Sequence, residues 1–170
     1  MKKLILMRHA KSDWNTDAKS DRDRPLNKRG RRDAPAMGAW LNDNGYRPDR
    51  VLSSPSLRTR QTVELVKEEL ELKKNQVSWV EDLYHPGLSD MLNLLQKAHG
   101  ECQALMLVSH NPGLEELLLY LSNESPALSD SGKLLPTAAV AVLCCDAAGW
   151  LTVQGSYTLE TLQRPRELQD

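Results

Sequence analysis

The sequence is poor in cysteine, with Cys102, Cys144 and Cys145 its only three. An odd count, the lack of any Cys-x-x-Cys, and an adjacent pair that would face opposite sides of a strand argue against a disulfide framework or a zinc knuckle. Buried, reduced thiols of a cytoplasmic protein are the expectation. Long apolar runs are missing too. The start, Met1-Lys2-Lys3-Leu4-Ile5-Leu6-Met7, has the outline of an export signal, but Arg8 and His9 end its apolar run after four residues. No stretch approaches the ~20 apolar residues of a membrane span, so no membrane partner is expected. Neither sign of charge is in excess. The net charge of −1 carries no nucleic-acid footprint. Repeats, low-complexity tracts and linkers are absent as well, so one domain suffices. What is present, 26% charged and 40% hydrophobic residues, is the balance of a globular protein. One local excess of charge exists: seven Lys or Arg against four Asp between Asp17 and Asp33. It reads as a solvated helix start or as an electropositive rim.

Leu4 to Met7 is a short continuous apolar run, the pattern of a strand buried on both faces. Asn27 can cap a helix reaching about Asn44, with Ala36, Met37, Trp40 and Leu41 on one side, Pro35 as a bend or an irregular first turn, and Gly45 as its stop. Arg50 to Ser53 reads as a strand, Leu57 to about Leu72 as a helix, and Gln76 to Val80 as a strand. Ser89 should cap a helix to His99. Ala104 to Val108 is the strongest central-strand signal, and Pro112 opens a helix to about Leu121. Ala139 to Cys145 and Leu151 to Thr158 read as a hairpin-like pair. Strands alternating with helices predict an α/β fold, a single three-layer αβα domain with a mostly parallel central sheet. Its expected bounds are residues 1–158, with 159–170 as an exposed C-terminal tail.

The unusual residues fall where such sheets bind ligands, beyond the carboxyl ends of the strands. Arg8 and His9 end the first strand. Ser53-Ser54-Pro55 ends the second, with Arg58 just inside the next helix. Ser109-His110-Asn111 ends the central strand, directly before a helix N-terminus that would add N–H donors and positive dipole. Any one of these has a bland reading, a hydrogen-bonded structural histidine or a surface arginine. Two histidines and two arginines at three separate strand ends instead suit a tetrahedral, multiply charged anion. Metal ligation competes for paired histidines, yet there is no His-x-His, no His-Glu-x-x-His and no nearby Asp pair. No metal and no cofactor are expected.

Arg8-His9-Ala10-Lys11-Ser12-Asp13-Trp14-Asn15 resembles the opening motif of the histidine phosphatase superfamily, Arg-His-Gly-Glu-Ser-x-Trp-Asn. Ser53 to Thr62 resembles its second motif and Val108-Ser109-His110-Asn111-Pro112 its third. Ala10 and Lys11 depart from the usual glycine and glutamate. Both departures, the short chain and Asp23-Arg24-Pro25-Leu26 are similar to the compact, SixA-like branch of phosphohistidine phosphatases. The resemblance implies a phosphoglycerate mutase-like fold and makes His9 the nucleophile of a covalent phosphohistidine intermediate. It implies that Arg8, Arg58 and His110 bind the phosphoryl oxygens, with Asn15 as a lesser contact. Arg24, on the basic loop, and Asn111, beside His110, are further candidates for substrate contact. Neighbouring cations should keep His9 neutral, and a backbone carbonyl near the second motif should fix its tautomer. Glu81 stands where larger relatives carry a catalytic Glu; general acid and solvated turn residue are equally open. Thr137 could face the site or serve a turn.

Only 28 residues separate Glu81 from His110, too few for the helical cap of larger relatives. An open pocket suits a phosphorylated side chain on a folded protein. The leading expectation is therefore a metal-independent phosphatase acting on a phosphohistidine-bearing protein such as a phosphotransfer domain, with phosphate or other oxyanions able to enter the pocket. A small-molecule phosphomonoesterase of the same superfamily and an inactive phosphate-binding module are the alternatives.

Overall fold

The computed structural model describes residues 1–98 and 101–169. Among the described residues ten regular elements follow one another: β1 (Lys2–Arg8), α1 (Lys28–Asp43), β2 (Arg50–Ser53), α2 (Leu57–Leu70), β3 (Val77–Trp79), α3 (Leu88–Lys97), β4 (Ala104–Ser109), α4 (Gly113–Ser122), β5 (Val140–Cys145) and β6 (Thr158–Gln163). Short 3₁₀ turns lie at Asp21–Asp23, Lys74–Gln76, Glu81–Leu83 and Pro165–Gln169. The strands form one six-stranded sheet in the order β3-β2-β4-β1-β5-β6. The four strands β3, β2, β4 and β1 run parallel, whereas β5 and β6 are antiparallel to their neighbours.

Continuous apolar strands work here because both faces are covered. Successive β1 residues alternate between two cores: Leu4 and Leu6 face Leu114, Leu117 and Leu121 of α4, while Ile5 and Met7 face Met37 and Leu41 of α1 and Val63 and Val66 of α2. The same alternation runs through β4, with Leu105 and Leu107 on one side and Met106 and Val108 on the other. Every one of these β1 side chains is fully buried, each worth about 1.5–3 kcal/mol relative to exposure. The result is the expected three-layer α/β domain, with α1 and α2 on one face and α3 and α4 on the other. No helix among the described residues is long and apolar enough to cross a membrane.

Several expectations need adjustment. Asn27 does cap α1, its side chain accepting from the Gly30 amide at 2.9 Å. The helix runs unbroken through Pro35 and buries Ala34, Met37 and Leu41 rather than Ala36. At α3 the cap is Gly87, whose amide donates to the Asp90 carboxylate at 2.8 Å, and Ser89 lies inside the first turn. The expected end at His99 lies outside the described residues. The largest difference is near the C-terminus. Residues 151–157 form no strand; the Tyr157 hydroxyl folds back to bond both the amide and the carbonyl of Leu151. Gly155, at φ 70°, and Tyr157 donate their amides to Tyr120 and Leu121 at the end of α4. The strand expected there, β6, begins only at Thr158. Residues 159–163 therefore belong to the sheet, and Arg164 is buried, donating to the carbonyls of Ala127 and Leu134. The expectation of an exposed tail therefore fails at Arg164, whose guanidinium ties two loop carbonyls, while Arg166 is exposed as expected.

Candidate active site

Because β1 and β4 are parallel neighbours with Arg8 opposite Ser109, the residues that follow them emerge side by side at one sheet edge. β2 lies on the other side of β4, with Ser53 opposite Val108, which brings Ser54 and Arg58 to the same edge. The His9 and His110 rings lie 5.0 Å apart, centroid to centroid. They open into one pocket of about 170 Å³, whose walls include Arg8, Arg24, Arg58, His85, Asn111 and Thr137.

The backbone around His9 is pinned on both sides. Its amide donates to Ser109 and its carbonyl accepts from Ala138. Ala138 holds φ at 65°, a left-handed geometry that costs a non-glycine residue energy and that this bond helps maintain. The imidazole Nδ1 lies 2.8 Å from the Ala10 carbonyl. A carbonyl only accepts, so Nδ1 carries the proton and Nε2 keeps its lone pair. The expected carbonyl near the second motif is thus supplied by the first. The second motif acts one step removed: Thr62 accepts from the Ala10 amide and donates to the Arg58 carbonyl, holding that peptide in place. Burial, then the neighbouring His110, and then Arg58 and Arg8 hold the His9 pKa well below the usual imidazole value; the Ala10 carbonyl pulls the other way.

His110 is also kept neutral. Burial first, then Arg58 and His85, push its pKa down to about 3. Arg58 Nη2 donates to its Nδ1 at 3.4 Å, so Nε2 carries the proton and donates to Ser54 Oγ at 2.7 Å. Arg58 is itself buried and spends its fork on Asp21, donating to the carbonyl at 2.8 Å and to Oδ2 at 3.1 Å. Among the described residues, the Arg8 side chain gives one bond to protein, Nη1 to the Leu135 carbonyl at 3.2 Å. Its other N–H groups remain for an oxyanion, to which a planar guanidinium can offer two parallel bonds.

The structure separates the remaining site expectations. Arg24 lines the pocket, but its donors hold Ser12, Asp13 and Asp21 while Trp14 stacks on it at 3.5 Å. It anchors the loop between β1 and α1, which also closes through Asp13 to Pro25 and Asn27 to Lys11 backbone bonds. Asn111 lines the pocket, yet its amide nitrogen is committed to Glu115 and the Leu135 carbonyl, which leaves no donor for phosphate. It steadies the carbonyl that Arg8 uses. Thr137 does face the pocket. Asn15 does not; it sits exposed, its amide bonded to Asp13. Glu81 also lies outside the pocket, with a side chain 67% exposed and paired with Arg22. That hydrogen bond holds its carboxyl below the usual value, the opposite of what a proton donor needs. No residue of α4 lines the pocket; the first-turn amide of Leu114 donates to the His110 carbonyl instead.

Two residues escaped the sequence reading. His85 lines the pocket at its exposed rim, with its ring 6.1 Å from that of His110 and 4.1 Å from that of Tyr84. Its position before Pro86 is the one sequence cue. Asp21 receives Arg58, Arg24 and the Tyr84 hydroxyl. Burial raises its pKa, but the Tyr84 hydrogen bond and the two guanidiniums outweigh this and hold it at about 2. Among the described residues, no three His, Cys, Asp or Glu side chains gather as a metal site.

Comparison with known proteins agrees with this arrangement. Residues 4–83 match the family model of the histidine phosphatase superfamily, branch 1. An uncharacterised protein of Mycobacterium tuberculosis is 30% identical over 94% of this chain and 100% of its own. SixA from Agrobacterium tumefaciens superposes with a TM-score of 0.80 at 27% identity, over 96% of this chain and 98% of that one. The protein histidine phosphatase SixA complexed with tungstate gives 0.77 at 26% identity, over 98% and 99% of the two chains. With motifs, overall fold and size in accord, the chain belongs to the histidine phosphatase superfamily and is a phosphatase of the compact, SixA-like form.

Proposed function

We propose that the protein hydrolyses phosphohistidine on a protein substrate, through a covalent phosphohistidine on His9 and without a metal. The observation that carries this reading is the bond from His9 Nδ1 to the Ala10 carbonyl. It leaves the Nε2 lone pair of a neutral ring as the nucleophile, in a pocket shared with Arg8, Arg58 and His110. Phosphoryl transfer has a loose transition state, so positioning and charge stabilisation do most of the catalytic work. In the first step Nε2 bonds to phosphorus as the bond from phosphorus to the substrate imidazole breaks. His85 protonates the other nitrogen of that imidazole, which departs neutral. In the second step water attacks phosphorus, its proton passes to His85, and phosphate leaves a neutral His9. His9 keeps its Nδ1 proton throughout. With Asp21 held as an anion and Glu81 outside, His85 is the pocket's proton donor.

A protein substrate is supported by the open rim. Among the described residues, only α3 and β4 lie between the Glu81 turn and His110, and neither contributes to the pocket's walls. Trp14, 73% exposed, stands at that mouth. Large exposed aromatics are characteristic anchors for a protein partner. The test is brief exposure to labelled phosphoramidate, an alkaline quench and mapping of acid-labile phosphate. Label on His9, none in His9→Ala, and turnover of a phosphorylated phosphotransfer domain unaffected by chelator are the expected results. Label elsewhere, or hydrolysis by His9→Ala at the wild-type rate, would refute the mechanism. A large preference for small phosphate esters would refute the substrate.

A further inference from the structure

Beside the catalytic pocket lies a second, larger cavity of about 260 Å³, walled by the end of β1, residues 128–137 and the Pro165–Gln169 turn. The two spaces share Arg8, Lys11 and Thr137. Its walls carry six cationic side chains, Arg8, Lys11, Arg29, Lys133, Arg164 and Arg166, against only Asp130 and Glu167. Part of this charge has structural work. Arg164 fastens the 127–134 loop and pairs with Glu167, and Arg29 pairs with Asp33. The Lys11 and Lys133 ammonium groups differ, since among the described residues neither enters an ion pair or a side-chain hydrogen bond. Burial, together with Arg29, Arg8, Lys133 and Arg24, lowers the Lys11 pKa, a sign of uncompensated positive charge in a confined space.

Such a cluster repels itself when empty, and the repulsion is relieved by an anion. Lys11 also stands where the superfamily's opening motif usually has a glutamate, so the charge at the junction of the two spaces is inverted. We infer that this cavity is a second anion subsite, taking a carboxylate or phosphate group carried by the same molecule whose phosphoryl group enters beside His9. An anion in either space lies against Arg8, and a substrate with one negative group in each would be gripped at both. Resting on the protein-phosphohistidine reading, the second group is an Asp or Glu side chain near the phosphohistidine. Lys11 and Lys133 are then specificity residues.

Two synthetic phosphohistidine peptides test this, identical except for Asp and Glu flanking the phosphohistidine in one and Asn and Gln in the other. The acidic peptide should be favoured in kcat/KM by about tenfold, the scale of a partly desolvated charge pair. The preference should shrink with added salt. Lys133→Glu, a change at an exposed position, should abolish or reverse it. Equal turnover of the two peptides by the wild type, or an unchanged ratio in Lys133→Glu, would overturn the subsite while leaving the phosphohistidine reading intact. Failure to hydrolyse either peptide, with a Lys133-dependent preference for a small bisphosphate over its monophosphate, would support the subsite and overturn the protein reading.

Discussion

A carboxylate set among the cations of a phosphate pocket would ordinarily compete with the ligand. Asp21 avoids this by sitting behind Arg58, where it takes the outer edge of the guanidinium and shares itself with Arg24 and Tyr84. One anion thus orients two arginines before any phosphate arrives. His85→Ala should lower kcat on an alkyl or aryl phosphate by about 10²-fold, the low end of general acid catalysis. It should cost less on phosphohistidine, whose leaving imidazole is easier to expel. Steady-state kinetics on both substrates check this, and equal losses, or none, would contradict the assignment. Arg8, His9, Arg58 and His110 were legible in the sequence because each follows a strand end whose apolar run is plain. Glu81 and Asn15 were misplaced because sequence position does not reveal where a side chain points. Asn111 lines the pocket, but what its side chain does turned on neighbours, Glu115 and the Leu135 carbonyl, that only folding brings near. Asp21 sat in a charge-rich stretch that looked like solvated loop.

Elements placed themselves well wherever one covers another. β1, β2, β4 and the bodies of α1 and α2 followed from apolar patterning, because burial on a sheet face is what that patterning records. The late segment 151–157 misled because its backbone is held by the end of α4 and by the Tyr157 hydroxyl rather than by strand neighbours. Gly30 shows how tightly one element constrains the site. The first turn of α1 passes so near the opening motif that a Cβ at Gly30 would lie 2.2 Å from the Lys11 carbonyl oxygen. That oxygen already accepts from the Asn27 amide. Gly30→Ala must therefore push α1 away from the loop or push Lys11 toward the pocket. A destabilisation of about 1–3 kcal/mol is expected from such overpacking, with weaker tungstate binding. Thermal melting and tungstate titration read the two effects, and a variant with wild-type values in both would show that the contact yields freely.

For the molecule as a whole, two buried neutral histidines tie stability to pH. His9 and His110 have folded-state pKa values below that of an unfolded imidazole, near 6.5. Below about pH 6.5 the unfolded chain gains protons that the folded chain refuses, so stability falls as pH drops. For His110 the loss continues until about 3, where the folded ring also protonates. Asp21 adds a second loss at lower pH, as its carboxylate protonates around 2 and releases its arginines. The melting temperature should decline between pH 7.5 and 5, and less so in a His110→Asn variant. A flat profile in the wild type would mean that the rings titrate freely in the folded protein.

Strand order has a last consequence, for biosynthesis. The strand that delivers His9 lies inside the sheet, between β4 and β5. Its partners begin at Ala104 and Val140, so both of its edges stay unpaired until β4 has been made, and one until β5 has been made. Contacts this distant along the chain form late and slowly. A ribosome-bound nascent chain that has exposed His9 but not yet Val140 still lacks one of the two strands that flank β1, so the frame around His9 waits on residues more than a hundred positions downstream.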